Sequence, residues 1–264
     1  MKILITGAHG TVGSELKKYL HALNHALNIE VLTWDRNCIP INVYNLMEEF
    51  LREVRPDIVF HLAAVVMNTC TTDYSWSANY EWTGELAWIT KILTIKFMYT
   101  STAMVFSPHA QGPFTVYSRP DATEGYGYEK RRSEERVLYQ NPEATIVRLG
   151  WQIGEEPGSN NMIDYFDRHM KQHGHIEAST RWQPACSFLA DTVETLFALT
   201  RFPSGLYMLD SNEKWNFYEI ACALNELHGN KWNIVPTHEF IYDQRLFDEK
   251  VKMSSLKKRL RLLR

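Results

Sequence analysis

The chain has 264 residues, 45% of them hydrophobic and 22% charged, which is the composition of a soluble globular protein with material for a sizeable core. A formal net charge of -3 gives no basic field for a phosphate backbone, so nucleic acid is not expected as a partner. Cys38, Cys70, Cys186 and Cys222 stand far apart and form no CxxC or Cys/His cluster, so neither a metal site nor a disulfide framework is expected.

Lys2–Thr6 reads as a short buried strand, residues 11–26 as a helix, and "IEVLTW" as a second strand ending at Asp35 and Arg36. No signal-peptide cleavage pattern follows the first strand and no apolar run reaches membrane-spanning length, which predicts a cytoplasmic protein without a membrane partner. "NLMEEFLREVRPD" has helical periodicity and stops before Pro56; "IVFHLAAVV" after it is a continuous apolar strand of the kind buried on both faces. "GELAWITKIL" is helical, "KFMYTSTAMVF" a strand entering a loop, "GYEKRRSEERVLYQ" a helix and "ATIVRLGWQIG" another buried strand. Such alternation predicts an α/β fold with a doubly wound parallel sheet, a Rossmann domain over residues 1–153. Residues 154–264 read mainly as a smaller, mixed substrate-binding lobe. It contains "EEPGSNN", a helix near 190–201 that returns to the first domain, a strand "GLYML", a helix over 217–228 and a basic tail read as a solvated terminal helix.

Gly7, Gly10 and Gly13 form GxxGxxG between a strand and a helix. Three missing β-carbons permit a tight turn, a close approach of backbone N–H groups to a pyrophosphate and tight packing of the helix on the sheet, while the helix N-terminus adds partial positive charge. Asp35 ends the next strand where a ribose hydroxyl would lie. Arg36 beside it pulls the other way, since it can neutralise a 2′-phosphate; NAD and NADP both stay open.

Tyr126 and Lys130 are four apart at the start of a helix and share one face. With 13 tyrosines in the chain, a YxxxK pair is expected by chance about once, and position carries the argument instead. The pair follows a strand whose end, Ser101 and Thr102, leaves the carboxyl edge of the sheet, where doubly wound folds bind ligands.

"GAHGTVG", "STAMVF", "YGYEKRRSE" and "RLGWQIG", in this order, resemble the motifs of the dTDP-4-dehydrorhamnose reductase family within the extended short-chain dehydrogenase/reductases: GxxGxxG, "STDYVF", "YGxSKxxxE" and "RTSWVYG". "RPDIVFHLAA", the positions Asn79, Thr83, Leu86 and Ala87, and "GLYMLDSNEKWNFYEIACAL" extend the resemblance over almost the whole chain. It implies an NAD(P)-dependent oxidoreductase that reduces the C4 ketone of a nucleotide-linked 4-keto-6-deoxyhexose, dTDP-4-dehydrorhamnose to dTDP-L-rhamnose above all, with NADP(H) or NAD(H) as cofactor and a homodimer left open. Tyr126 would be the proton donor, its free pKa of about 10 lowered by roughly one to three units by the Lys130 ammonium. Lys130 would also hold the nicotinamide ribose, and Thr102 would hydrogen-bond the substrate oxygen. The implied cofactor set is Gly7, Gly10, Thr11, Val12, Gly13, Asp35, Arg36, Ala63, Ala64 and Lys130; the substrate set is Thr102, Ala103, Tyr126, Arg148 and Trp151.

Other readings stay beside these. Asn79 could support a proton-relay water or lie on a helix surface, Arg148 and Trp151 could border the ligand or be an ordinary surface Arg and buried Trp, and His61 is expected to be a buried, hydrogen-bonded histidine. His9 is read as facing solvent near the pyrophosphate. Ala103 and Met104 replace an acid and an aromatic of the family's loop, which counts against the related sugar-nucleotide dehydratases. The alternatives to a reductase are an epimerase with bound NAD and a non-catalytic NADP-binding regulatory protein.

Overall fold

In this computed structural model, which describes residues 1–66, 72–155, 158 and 160–263, β1 (Lys2–Thr6) runs into α1 (Thr11–Leu27) and β2 (Glu30–Thr33), and α2 (Tyr44–Val54) leads to β3 (Ile58–His61). A short α3 (Asp73–Trp76), a π-helical turn at Ser77–Glu81 and α4 (Trp82–Ile92) follow one another before β4 (Lys96–Thr102), β5 (Phe114–Thr115), α5 (Gly125–Gln140) and β6 (Thr145–Leu149). The second half holds β7 (Trp151–Ile153), α6 (Met162–His173), β8 (Ile176–Ser179), β9 (Trp182–Gln183), β10 (Cys186–Phe188), α7 (Leu189–Leu199), β11 (Gly205–Leu209) and α8 (Phe217–Leu227). It closes with β12 (Ile234–Thr237), β13 (Tyr242–Asp243), β14 (Leu246–Phe247) and α9 (Leu256–Leu262). Cys70, and the Glu156, Pro157 and Ser159 of "EEPGSNN", lie outside the described residues.

Six strands form one parallel sheet in the order β2-β1-β3-β4-β6-β11. Because side chains alternate along a strand, Ile3 and Ile5 of β1 face Leu16 and Leu20 of α1 and Val193, Leu196 and Phe197 of α7, whereas Leu4 faces Met47 and Leu51 of α2 and Trp82 and Leu86 of α4. Both faces are covered, which is why these strands read as unbroken apolar runs. Each fully buried Leu or Ile contributes about 1.5–3 kcal/mol. α2 stops at Arg55, whose φ of 46° lies in the left-handed region directly before Pro56. Successive strands wind outward in both directions from the β1/β3 junction, so a crevice opens at the carboxyl ends there.

Three sequence expectations change. The apolar run through Val66 does not continue as strand beyond His61: the Ala63 amide turns to the Thr6 hydroxyl at 3.3 Å, and both backbone groups of Val65 are taken by the Asn79 amide at 2.9 and 2.8 Å. "ATIVRLGWQIG" is two strands, broken at Gly150 where the chain crosses Ala185; the Trp151 amide donates to the Ala185 carbonyl at 2.8 Å and β7 pairs with β10 in a separate ladder. "GLYML" is not part of the smaller lobe's own sheet but the edge of the main one, β11 pairing with β6 from Gly205 opposite Thr145 to Leu209 opposite Leu149. Its alternate residues feed both main cores, Tyr207 and Leu209 on the α1/α7 side and Leu206 on the other.

A second core gathers Ile153, Ile163, Phe166, Phe188, Phe217, Ile220, Leu224 and Trp232, with Leu256 and Leu260 of α9 closing it. The terminal basic helix therefore has one packed face. Among the described residues no helix is long and apolar enough to cross a membrane.

Candidate active site

The glycine turn is built as its spacing demands. Gly7 has φ +69°, and a β-carbon there would stand 2.6 Å from the Ala63 amide nitrogen; one at Gly13 would overlap the Gly7 carbonyl. The turn closes with the Gly10 amide donating to the Gly7 carbonyl at 2.9 Å. No side chain caps α1 at Gly10 and no acid stands in its first turn, so first-turn amides such as those of Val12 and Gly13, which a helix cannot itself satisfy, remain for an anion. Thr11 spends its hydroxyl oxygen on the Asn160 amide at 3.1 Å, which draws the smaller lobe to this edge. Ala63 is half-buried beside Gly7, and Ala64 and His9 are exposed.

Beyond β2 the exposed Asp35 caps its own loop, with the Asn37 amide at 2.9 Å and the Cys38 thiol at 3.4 Å on its two oxygens. The Asn37 amide first, then the Cys38 thiol, hold its carboxyl below the usual value, and His9 adds to this. Arg36 reaches across to the Tyr74 hydroxyl at 2.8 Å, and the two border a cavity of about 420 Å³ with Asn37, Pro40, Ile41, Asn42 and Ser77.

On the other side of the crevice, α5 begins beside the loop that leaves β4. A β-carbon at Gly127 would overlap the Met104 carbonyl, so this close approach fixes Tyr126 against the Thr102–Met104 turn. Thr102 accepts from the Met104 amide at 3.2 Å, which leaves its hydroxyl proton to donate elsewhere. Ala103 is buried with Val105 and Phe106, and the side chain that this turn exposes is Met104, at 44%.

Lys130 is 1% exposed; its ammonium donates to the Thr100 carbonyl at 2.7 Å and lies 4.1 Å from the Tyr99 ring centroid and 5.9 Å from that of Tyr126. Burial pulls its pKa down to about 7, against the opposing fields of Glu134 and Glu129. Tyr126 does not titrate as its spacing predicts. Burial first, and the Glu129 carboxylate second, push its phenol well above the ordinary value. The resting site thus holds a protonated phenol.

His61 is buried between the hydroxyls of Thr6 and Thr83, each at 2.8 Å, and burial followed by the Lys130 charge drives its pKa well below the usual value. Asn79 is not on a helix surface. It is fully buried in the π-helical turn and joins Val65 to the Glu129 carboxylate, 2.5 Å from its Nδ2. Arg148 is likewise no surface residue: 3% exposed, it forms a two-pronged pair with Glu134 and lies over Phe106. Trp151 is half-buried in an aromatic group with Tyr165, Trp182 and Phe217 on the smaller lobe's side. Nothing in the sequence singles out Glu129 or Tyr74, whereas Met104 stands out only as a replacement for an aromatic. Glu129 stands where the resembling motif has serine, and its place three residues after Tyr126 puts it on the same helix face.

The sequence model of the RmlD substrate binding domain family matches residues 1–246. The spore coat polysaccharide biosynthesis protein SpsK of Bacillus subtilis (strain 168) is 24% identical over 244 residues, 90% of this chain and 84% of its own length. A probable dTDP-4,6-dihydroxy-2-methyloxan-3-one 4-ketoreductase of Streptomyces antibioticus is 28% identical over 84% of this chain and 75% of its own. The structure of dTDP-4-dehydrorhamnose reductase from Bacillus anthracis str. Ames in complex with NADP superposes with a TM-score of 0.83 at 20% identity, over 99% of this chain and 98% of that one, which shows the shared fold.

Proposed function

The chain belongs to the RmlD substrate binding domain family, and we propose that it is an NAD(P)H-dependent reductase of the C4 ketone of a nucleotide-linked 4-keto-6-deoxyhexose, dTDP-4-dehydrorhamnose giving dTDP-L-rhamnose. One observation carries the reading: a proton-bearing Tyr126 and a buried Lys130 flank the carboxyl edge of the sheet, across the crevice from a glycine turn with no side-chain cap at the helix N-terminus. The uncapped first turn, the overlap that a β-carbon would cause at Gly7 and Gly13, and the Arg36/Tyr74 cavity fit a dinucleotide. The likeness to a probable 4-ketoreductase and to a dTDP-4-dehydrorhamnose reductase crystallised with NADP supports the same assignment.

Gly7, Gly10, Thr11, Val12 and Gly13 would take the pyrophosphate, Asp35 and Arg36 the adenosine end, Ala63 and Ala64 the middle, and Lys130 the nicotinamide ribose. A dihydronicotinamide held there would supply a hydride to the ketone carbon. Tyr126 gives its phenolic proton to the oxygen as negative charge develops there, so that C=O, hydride and proton become CH–OH. Lys130 stabilises the phenolate left behind, and Thr102 donates to the same oxygen and orients it. The smaller lobe, with Trp151 and its aromatic neighbours, would hold the nucleotide part of the substrate. Arg148 serves through Glu134 and α5, and Ala103 by packing. A cytoplasmic location and a homodimer belong to this proposal.

The test is to follow the oxidation of NADPH and NADH with dTDP-, UDP- and GDP-linked 4-keto-6-deoxy sugars. Turnover with the dTDP substrate that disappears in Tyr126→Phe is the expected result; oxidation of neither cofactor with any of them sinks the reading.

A further inference from the structure

The helix that carries Tyr126 and Lys130 also carries a carboxylate that the reaction above does not use. Glu129 is 1% exposed, three residues from Tyr126 and adjacent to Lys130. One oxygen lies 2.6 Å from the Ser75 hydroxyl and the other 2.5 Å from Asn79 Nδ2. The amide of Asn79 cannot be reversed, because its oxygen accepts from the Val65 N–H and its nitrogen donates to the Val65 carbonyl. Ser75 Oγ accepts from the Thr72 amide at 2.9 Å, so its proton is free to point at Glu129. Both carboxylate oxygens therefore meet donors, the arrangement of an ionised group.

The other titratable groups packed around Lys130 and Tyr126 are Glu134, whose field also favours the Lys130 ammonium, His61 and Tyr99. Glu134, on α5, is paired with Arg148 of β6 at 2.6 Å. His61 of β3 is kept neutral by burial, and Tyr99 of β4 has its pKa driven well above the ordinary value, chiefly by burial. Glu129 has only neutral hydrogen-bond partners and no cation within ion-pair distance among the described residues. It is an uncompensated negative charge in a low-dielectric site, where such a charge acts most strongly.

We propose that Glu129 is a positioning residue whose fixed buried charge raises the proton affinity of its neighbours Tyr126 and Lys130 and so keeps an ammonium available beside the phenol. The carboxylate opposes the phenolate on Tyr126 and favours the ammonium on Lys130, against the burial that draws the Lys130 pKa down to about 7.

Glu129→Gln separates charge from bonding. Its oxygen can face Asn79 while its nitrogen donates to Ser75 Oγ, whose proton then turns to the Thr72 carbonyl at 3.1 Å, so every bond is kept. The Lys130 ammonium is titrated by the carbon-13 shift of its ε-carbon in the ligand-free protein, assigned with Lys130→Met. The expected result is a midpoint lower by about one pH unit in Glu129→Gln, with Ser75→Ala, which loses a bond and keeps the charge, unchanged. An unmoved midpoint in Glu129→Gln, or an equal shift in Ser75→Ala, overturns the proposal. Glu129→Ser gives the same reading should the Gln protein fail to fold. The second readout rests on the reductase assignment: the alkaline fall of the reduction rate moves to lower pH in Glu129→Gln. The titration needs no substrate, so its failure is distinguishable from a failure of that assignment.

Discussion

Arg148 and Glu134 face each other between β6 and α5 in a buried two-pronged pair, Nε to Oε1 at 2.9 Å and Nη2 to Oε2 at 2.6 Å. Arg148 belongs to a central strand and Glu134 to α5, so the pair joins the sheet to the helix on which Tyr126 and Lys130 stand. Arg148→Met leaves a buried carboxylate unpaired and is expected to destabilise the fold by about 3–5 kcal/mol in chemical denaturation. The double variant Arg148→Met with Glu134→Leu, which removes both charges, should recover most of that loss. A double variant no more stable than the single one would mean that the pair's worth is packing on Phe106 rather than charge.

Lys130 gives the fold an unusual pH dependence. In the unfolded chain its ammonium titrates near the ordinary 10.5 and in the folded chain near 7, so between those values the unfolded state binds the extra proton. The contribution of this residue to stability is therefore lowest below about pH 7 and rises as pH climbs through that window. Lys130→Met removes the cost of burying the ammonium. Its melting temperature should exceed that of the wild type by more at about pH 6 than at about pH 10, whatever happens to turnover. A constant difference across pH would place the Lys130 pKa elsewhere.

At Gly7 a methyl group meets two penalties, a φ of +69° and the Ala63 amide nitrogen at 2.6 Å. Gly7→Ala should cost about 1–3 kcal/mol of stability and should abolish NADPH binding measured by fluorescence, since relief requires β1 and the β3 exit to part where the pyrophosphate would sit. Retained affinity would show that the dinucleotide does not cross this turn.

How far the sequence discloses this arrangement depends on the range of the interactions involved. Gly7, Gly10 and Gly13 are legible because a positive φ and a close backbone approach are local demands that only glycine meets. The placement of β11 beside β6 is not, because parallel pairing joins segments some sixty residues apart through a register that no short pattern encodes. Glu129 is hidden for another reason. In "GYEKRRSEERVLYQ" it looks like one more solvated charge, and only the packing of the Ser77–Glu81 turn on α5, through Asn79, buries it. The burial of Ala103 and the exposure of Met104 are not legible either, because the 3₁₀ turn at Ala103–Val105 directs the first side chain into the core and the second outward.

Cofactor choice turns on the loop after β2. Asp35, the acid that would bind a ribose diol, has its oxygens on the Asn37 amide and the Cys38 thiol, whereas Arg36 is exposed and held over the adjoining cavity by the Tyr74 hydroxyl. That geometry leaves the cation freer than the anion to meet a 2′-phosphate. Arg36→Ala is therefore expected to weaken NADPH binding about tenfold, the worth of a charge-assisted hydrogen bond, and to leave NADH nearly unchanged. Tyr74→Phe, which releases the guanidinium without removing it, should produce a smaller loss in the same direction. Equal losses for the two cofactors in Arg36→Ala, measured by isothermal titration, would mean that Arg36 stacks on the adenine, a contact both share, and that the loop does not discriminate between them.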